Sequence, residues 1–72
     1  MNLKETDLNL FVAFDVIYNE RNLTKAGQVL GITQPAVSNA LSRLRELFDD
    51  ELFIRSSKGM VPTPVAHQII QT

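Results

Sequence analysis

Apolar residues recur at helical spacing in four stretches of this chain, and between the third and the fourth the spacing shortens to that of a hairpin. In the first stretch Leu10, Phe11, Phe14, Ile17 and Tyr18 share one broad face, which predicts a helix that Thr6 or Asp7 can cap. Phe11, Phe14 and Tyr18 are expected to pack as scaffold beneath the elements that follow. Val12, Ala13 and Val16 leave this helix apolar on more than one side, so part of its surface is expected to meet something else, such as a partner subunit, or to be ordinary exposed aliphatics. In the second stretch Ala26, Val29 and Leu30 follow Thr24, a residue type that caps helices, and Gly31 ends the run where a positive φ is needed. Thr33 restarts the chain as a second cap. Pro35 falls in the first turn after it, where a missing N–H would have had no intrahelical partner.

The helix that begins there separates two kinds of side chain. Val37, Ala40, Leu41, Leu44, Leu47 and Phe48 occupy one arc, and Pro35, Ser38, Asn39, Ser42, Arg43 and Glu46 the other. A solvated helix face ordinarily carries long charged residues, yet the first two turns here offer Gln34, Ser38, Asn39 and Ser42. Short side chains let a helix backbone come close to another surface. The DNA major groove admits a helix, and Gln and Asn can pair with adenine N6 and N7 while Ser serves many partners. Two short helices joined by a tight turn, the second outwardly small and amide-rich, make a helix-turn-helix.

Beyond Phe48, Asp49-Asp50 ends that helix. Leu52-Phe53-Ile54-Arg55, Ser56-Ser57-Lys58-Gly59 and Met60-Val61-Pro62-Thr63 then predict a two-stranded hairpin, a wing, with Gly59 supplying an unusual φ in its turn and Pro62 confining the second strand to an edge. Arg55 and Lys58 lie on or near the turn with no carboxylate within several residues, free to reach phosphates or a minor groove. Thr63-Pro64 repeats the cap-then-proline start for a last helix with Val65, Ala66, Ile69 and Ile70 as apolar positions. Nine residues from Pro64 to Thr72 are too few for a stable isolated helix, and the stripe stops in mid-pattern, so a longer protein is expected to continue from here.

Seventy-two residues support one domain with a small core, and with no cysteine there is neither a disulfide nor a thiolate metal site. The net charge of −1 runs against the basic footprint usual for nucleic-acid binding, but the charges are segregated. Residues 21–45 contain Arg21, Lys25, Arg43 and Arg45 and no acid, and only Arg55 and Lys58 are charged after residue 51. The acids lie in residues 1–20 and 46–51. Such polarity would orient the domain on a phosphate backbone, with modest and salt-dependent affinity.

Catalytic chemistry is not expected. His67 is the single histidine and reads as a surface residue of the last helix; Asp49, Asp50 and Glu51 lack the spacing of calcium ligands and read as solvated. No apolar run reaches the roughly 18 residues of a membrane span, and the N-terminus has no signal-peptide pattern. A soluble, cytoplasmic protein with no metal and no cofactor is expected.

With these residues in view, nearly the whole chain resembles the N-terminal DNA-binding domain of LysR-type transcriptional regulators. That family's helix-turn-helix typically reads Thr-x-Ala-Ala, then Leu, then Ser-Gln-Pro-Ala-Val-Ser, matched by Thr24-Lys25-Ala26-Gly27, Leu30 and Thr33-Gln34-Pro35-Ala36-Val37-Ser38. Its wing typically holds Leu-Phe-x-Arg with a later basic residue and glycine, matched by Leu52-Phe53-Ile54-Arg55 and Lys58-Gly59. The resemblance implies a mainly α fold, a winged helix-turn-helix with a three-helix core, a two-stranded β-hairpin wing and the start of a C-terminal linker helix. It implies a domain over residues 1–63, with the helix-turn-helix at about 22–43 and the wing at about 52–63, and a linker helix from 64 onward.

By the same resemblance, Gln34, Pro35, Ser38 and Asn39 read bases in the major groove, Thr33, Lys25, Ser42 and Arg43 hold phosphates, and Arg55 and Lys58 are wing contacts on the minor groove. The implied partners are double-stranded DNA carrying an interrupted inverted repeat, a second copy of the chain paired through the linker helix, and a small-molecule inducer bound by a domain not present in these residues. Three positions depart from the pattern. Asn39 stands where many members have arginine, Asp49 replaces a frequent helix-ending glycine, and Thr63-Pro64-Val65-Ala66 replaces the commoner Leu-Thr-x-Ala-Gly. The residues alone leave two alternatives open: a helical protein-interaction domain without DNA contact, and a self-contained repressor of phage or antitoxin type.

Overall fold

The computed structural model describes residues 9–71. Four helices and one antiparallel hairpin follow in the order α1 (Leu10–Glu20), α2 (Leu23–Leu30), α3 (Gln34–Phe48), β1 (Phe53–Ser56), β2 (Gly59–Pro62) and α4 (Pro64–Gln71). This is the mainly α, winged helix-turn-helix architecture expected from the sequence.

The helix boundaries follow from capping chemistry. Asn9 caps α1, its Oδ1 accepting from the N–H groups of Phe11 at 2.9 Å and Val12 at 3.3 Å. Thr6 and Asp7, expected to serve there, lie outside the described residues. For α2 the expected cap, Thr24, is displaced by Asn22, whose Oδ1 accepts from the Lys25 N–H at 2.9 Å. The earlier start places Leu23 inside the helix, where it is buried, and leaves Thr24 exposed in the first turn. Burial of a leucine at the first helical position favours this start over one at Thr24.

Gly31 ends α2 at φ 73°, and the N–H of Ile32 returns to the Gly27 carbonyl at 2.9 Å. Thr33 then caps α3 through a bond from the Ala36 N–H, with Pro35 in the first turn. Asp49 ends α3 in the left-handed conformation at φ 53°, a conformation that Asp adopts more readily than most residues.

The core gathers Phe14 and Ile17 from α1, Leu23 and Ala26 from α2, Val37, Leu41 and Leu44 from α3, Leu52, Phe53 and Met60 from the hairpin region, and Ala66 from α4. Two residues assigned to the core by periodicity lie at its margin. Phe11 is 56% exposed and meets Phe48 edge to face with ring centres 6.2 Å apart, and Leu47 is 60% exposed. Leu47 lies on the same side of α3 as the buried Ala40, but nearly two turns further along. Periodicity fixes direction around a helix axis and is silent on how far along the axis the neighbouring elements reach. Of the additional apolar residues on α1, Ala13 is buried, Val16 packs against the core and Val12 remains exposed. Val29 of α2 is exposed as well.

The hairpin pairs Phe53 with Pro62, Ile54 with Val61, Arg55 with Met60 and Ser56 with Gly59. Ser57 and Lys58 have no positive φ, and Gly59 carries it at 104°, the arrangement of a hairpin whose glycine follows the turn. Phe53, Met60 and Pro62 face inward, and Ile54 and Val61 face out. Pro62 donates nothing to the ladder, as a two-stranded sheet allows.

A carboxylate closes this segment. Asp50 Oδ2 accepts from the Leu52 N–H at 2.8 Å and from the Thr63 hydroxyl at 2.7 Å, while Thr63 Oγ1 accepts from the Ala66 N–H as the cap of α4. Asp50 is therefore structural, a correction to its reading as solvated. Leu52, fully buried, sits at φ 65°, a conformation a bulky residue holds only where its surroundings compensate. The Asp50 bond and complete burial of the side chain provide that compensation.

Two stability predictions follow from this hairpin. Asp50→Ala removes the acceptor for both donors and is expected to lower unfolding free energy by about 1–3 kcal/mol, measured by urea denaturation. Gly59→Ala forces an unfavourable φ and brings its Cβ within 2.5 Å of the Arg21 carbonyl oxygen. It is expected to cost at least about 1–3 kcal/mol, with the largest amide shift changes at residues 56–60.

Candidate nucleic-acid interface

Packing Val37, Leu41 and Leu44 into the core fixes which side of α3 is left outside. On that side Gln34, Pro35, Asn39, Ser42 and Arg43 are exposed and Ser38 is half-buried. Gln34 Nε2 donates to Ser38 Oγ at 3.3 Å across one turn, so the amide at the start of the helix is oriented by the serine behind it. Asn39 has no side-chain partner among the described residues. Both amides retain donors and an acceptor for another molecule.

The preceding turn adds a hydroxyl donor. Thr33 is exposed and its Oγ1 accepts from Ala36 N–H, which leaves its own O–H proton available to an external acceptor. Lys25 lies exposed in the first turn of α2, and Arg55 and Lys58 are exposed on the hairpin. Lys25, Arg43, Arg55 and Lys58 make no ion pair among the described residues, where the single ion pair joins Arg45 to Glu51 at 3.7 Å.

The other two cations of the basic band have internal tasks. Arg45 donates from Nε to the Glu51 carbonyl and from Nη2 to the Phe53 carbonyl, both at 2.8 Å, and so ties α3 to the base of the wing. Arg21, at the left-handed end of α1, donates from Nε to the Tyr18 carbonyl and lies 4.8 Å over the Tyr18 ring. Nothing in the sequence distinguished these two arginines from the four cations that face outward, Lys25, Arg43, Arg55 and Lys58. Arg45 finds its carbonyls where the chain turns after α3, and Arg21 reaches back to the last turn of α1 from its left-handed position; spacing reveals neither.

Helix-turn-helix and wing meet at an open cleft. Arg21, Asn22, Leu23 and Thr24 form one wall, Arg55, Ser56, Gly59 and Met60 the other, and Gln34 lines it as well. The fold thus brings together the first residue of α3, the arginine of the wing and the N-terminus of α2, which carries a partial positive charge and orphan N–H groups. Lys25, Arg43 and Lys58 stand outside this lining. His67 is exposed on α4, yet its Nδ1 shares a 2.8 Å hydrogen bond with the Tyr18 hydroxyl, a contact its isolated position in the sequence concealed.

The family model of bacterial regulatory helix-turn-helix proteins of the lysR family matches residues 8–67. The transcriptional activator NagR of Ralstonia sp is 54% identical over 66 residues, covering 92% of this chain and 22% of that protein. The transcriptional regulator LeuO of Escherichia coli K12 is 51% identical over 67 residues, covering 93% and 21%. The chain therefore spans about a fifth of the length of these relatives.

Solved structures agree in fold. A crystal structure of the BenM DBD in complex with catB site 1 DNA aligns with 99% of this chain and 74% of that one, at 31% identity and a TM-score of 0.78. Vibrio fischeri DarR in complex with DNA aligns with 96% of this chain and 23% of that one, at 28% identity and a TM-score of 0.78. A probable transcriptional regulator from Pseudomonas aeruginosa aligns with 86% and 21%, at 45% identity and a TM-score of 0.82. With its helix-turn-helix and wing arranged around one cleft and its sequence matched from residue 8 to residue 67, this chain belongs to the lysR family of bacterial regulatory helix-turn-helix proteins.

Proposed function

We propose that this chain binds double-stranded DNA sequence-specifically as the DNA-binding domain of a LysR-type transcriptional regulator, with α3 in the major groove and the wing on the neighbouring minor groove. The observation that carries this reading is the cleft that places Gln34 of α3 and Arg55 of the wing on the same side of the molecule, beside the positive end of α2. A helix in the major groove and a wing one strand away must straddle a phosphate backbone. The DNA complexes solved for BenM and DarR, similar in fold to this chain, support the same reading.

Within it, Gln34, Pro35, Ser38 and Asn39 face base edges. Gln34 and Asn39 have the amides that match adenine, and Pro35 offers an apolar surface to a thymine methyl. Thr33, Lys25, Ser42 and Arg43 face phosphates, and Arg55 and Lys58 extend the contact through the wing. The function is binding, not catalysis, and it requires no cofactor. Among the described residues no helix is long and apolar enough to cross a membrane. A cytoplasmic location is part of this proposal and follows from its DNA target.

The division at residue 63 belongs to the same reading. Residues 1–63 form the DNA-binding unit, and α4 begins a linker helix that continues in a longer protein, pairs two subunits and leads to an inducer-sensing domain. A two-fold dimer presents two copies of α3, so its operator is an interrupted inverted repeat.

Salt dependence provides the first test. Six cations lie in the basic band and wing, but Arg21 and Arg45 are held internally, which leaves Lys25, Arg43, Arg55 and Lys58. Four phosphate contacts give a slope of log K against log salt of about −3 to −4, and six would give about −5. Isothermal or anisotropy titrations of one copy with a short duplex measure it, and NMR titration is expected to shift residues 33–45 and 55–59. No binding at low salt would move the chain to the protein-interaction reading.

Single substitutions separate the two kinds of contact. Gln34→Ala is expected to cost about 1–3 kcal/mol at one base pair and to relax specificity there. Lys58→Ala is expected to weaken all duplexes alike and to reduce the salt slope by about one. Equal behaviour of both variants on every sequence would overturn these roles.

A further inference from the structure

Tyr18 stands where α1, the start of β1 and α4 meet. Its ring lies 6.4 Å from Phe14 of α1, 6.5 Å from Phe53 at the start of β1 and 5.5 Å from the His67 ring of α4, centre to centre. The His67 ring is perpendicular to it, and the hydroxyl and His67 Nδ1 are joined by the 2.8 Å hydrogen bond. Which of the two groups donates depends on the imidazole tautomer, and removal of the hydroxyl abolishes the bond in either case. The guanidinium of Arg21 covers the Tyr18 ring at 4.8 Å.

Arg21 faces in two directions. Its Nε donates to the Tyr18 carbonyl, and its own carbonyl accepts the N–H of Met60 in β2 at 2.9 Å. A Cβ on Gly59 would meet that carbonyl oxygen at 2.5 Å, so β2 crosses Arg21 too closely for a side chain at residue 59. Met60 is paired across the hairpin with Arg55, the wing residue that lines the cleft. A two-stranded hairpin has little rigidity of its own. Where Arg55 stands relative to Gln34 therefore depends on what holds Met60.

We propose, resting on the DNA-binding reading above, that Tyr18 and Arg21 are positioning residues for the wing, and that the His67 bond makes the placement of the wing depend on α4. Tyr18 supports Arg21 through its carbonyl and its ring face, Arg21 supports Met60, and Met60 carries Arg55. A displacement of α4 that withdraws His67 loosens the ring beneath Arg21, and the wing with it. Thermodynamic linkage makes the coupling reciprocal, so DNA that engages the wing strengthens the α4 contact by the same factor.

Tyr18→Phe removes the hydroxyl and keeps the ring, which isolates the bond to His67. In the DNA-free chain, the Met60 amide is expected to exchange with solvent about threefold faster or more, while the Leu44 amide within α3 is unchanged. No change at Met60, or an equal change at both amides, overturns the proposal, because the second outcome is general destabilisation. His67→Ala leaves Tyr18 intact and is expected to reproduce the Met60 effect; if it does not, α4 is not coupled to the wing.

A double-mutant cycle with Lys58→Ala on a short duplex then reads the wing itself. In the Tyr18→Phe background the affinity lost on Lys58→Ala is expected to be clearly smaller than in the parent chain, since a displaced wing no longer makes the contact fully. Additive losses overturn the positioning role. If the parent chain binds no duplex at low salt, the DNA-binding reading fails, and Met60 exchange still decides whether Tyr18 and His67 anchor the wing.

Discussion

The Asp50 carboxylate holds the second half of this fold together. It accepts from the Leu52 N–H just before β1 and from the Thr63 hydroxyl just after β2, so one side chain joins the two ends of the hairpin. The backbone bond from Thr63 N–H to the Leu52 carbonyl at 2.9 Å lies beside it. Thr63 in turn caps α4. The end of α3, the entry to the wing and the start of the last helix are thereby set from a single point. The left-handed Leu52, with its side chain fully buried, is the local conformational cost of that closure.

Around this closure, two arginines distribute the wing's attachments. Arg45 reaches from α3 to the Phe53 carbonyl, and Arg21 offers its carbonyl to Met60 from the end of α1. A guanidinium suits the first task because its planar donors can reach several carbonyls from one side chain. The hairpin buries Phe53, Met60 and Pro62 against the helices, but its outer pair, Ile54 and Val61, faces solvent. Inward packing therefore fixes one face, and the polar attachments fix its height and tilt.

This arrangement has an electrostatic consequence. Internal use of Arg21 and Arg45 reduces the outward-facing cations, while the acids at 46–51 remain clustered at the far end of α3. Net charge alone obscured the polarity, since opposing regions nearly cancel. Along the chain the basic part is the acid-free segment of residues 21–45 together with Arg55 and Lys58.

Much of the fold was legible in the sequence because it is written in local chemistry. Gly31, Thr33, Pro35, Gly59, Thr63 and Pro64 each act within a few residues of themselves, and periodicity identified the inward faces of α1 and α3. The exposed face of α3 was legible for the same reason, as the complement of what is buried. Local chemistry also produced the error at Thr24, since Asn22 two residues earlier was an equally good cap and burial of Leu23 decided between them. What only the tertiary structure decided is of another kind: the exposure of Phe11 and Leu47, the Asp50–Thr63 closure, the bond from Tyr18 to His67, and the choice of Arg21 and Arg45 for internal use. These depend on how far each element extends and on where backbone carbonyls point after a turn. Spacing along a single helix holds no information about either, so the chain had to be folded before they could be seen.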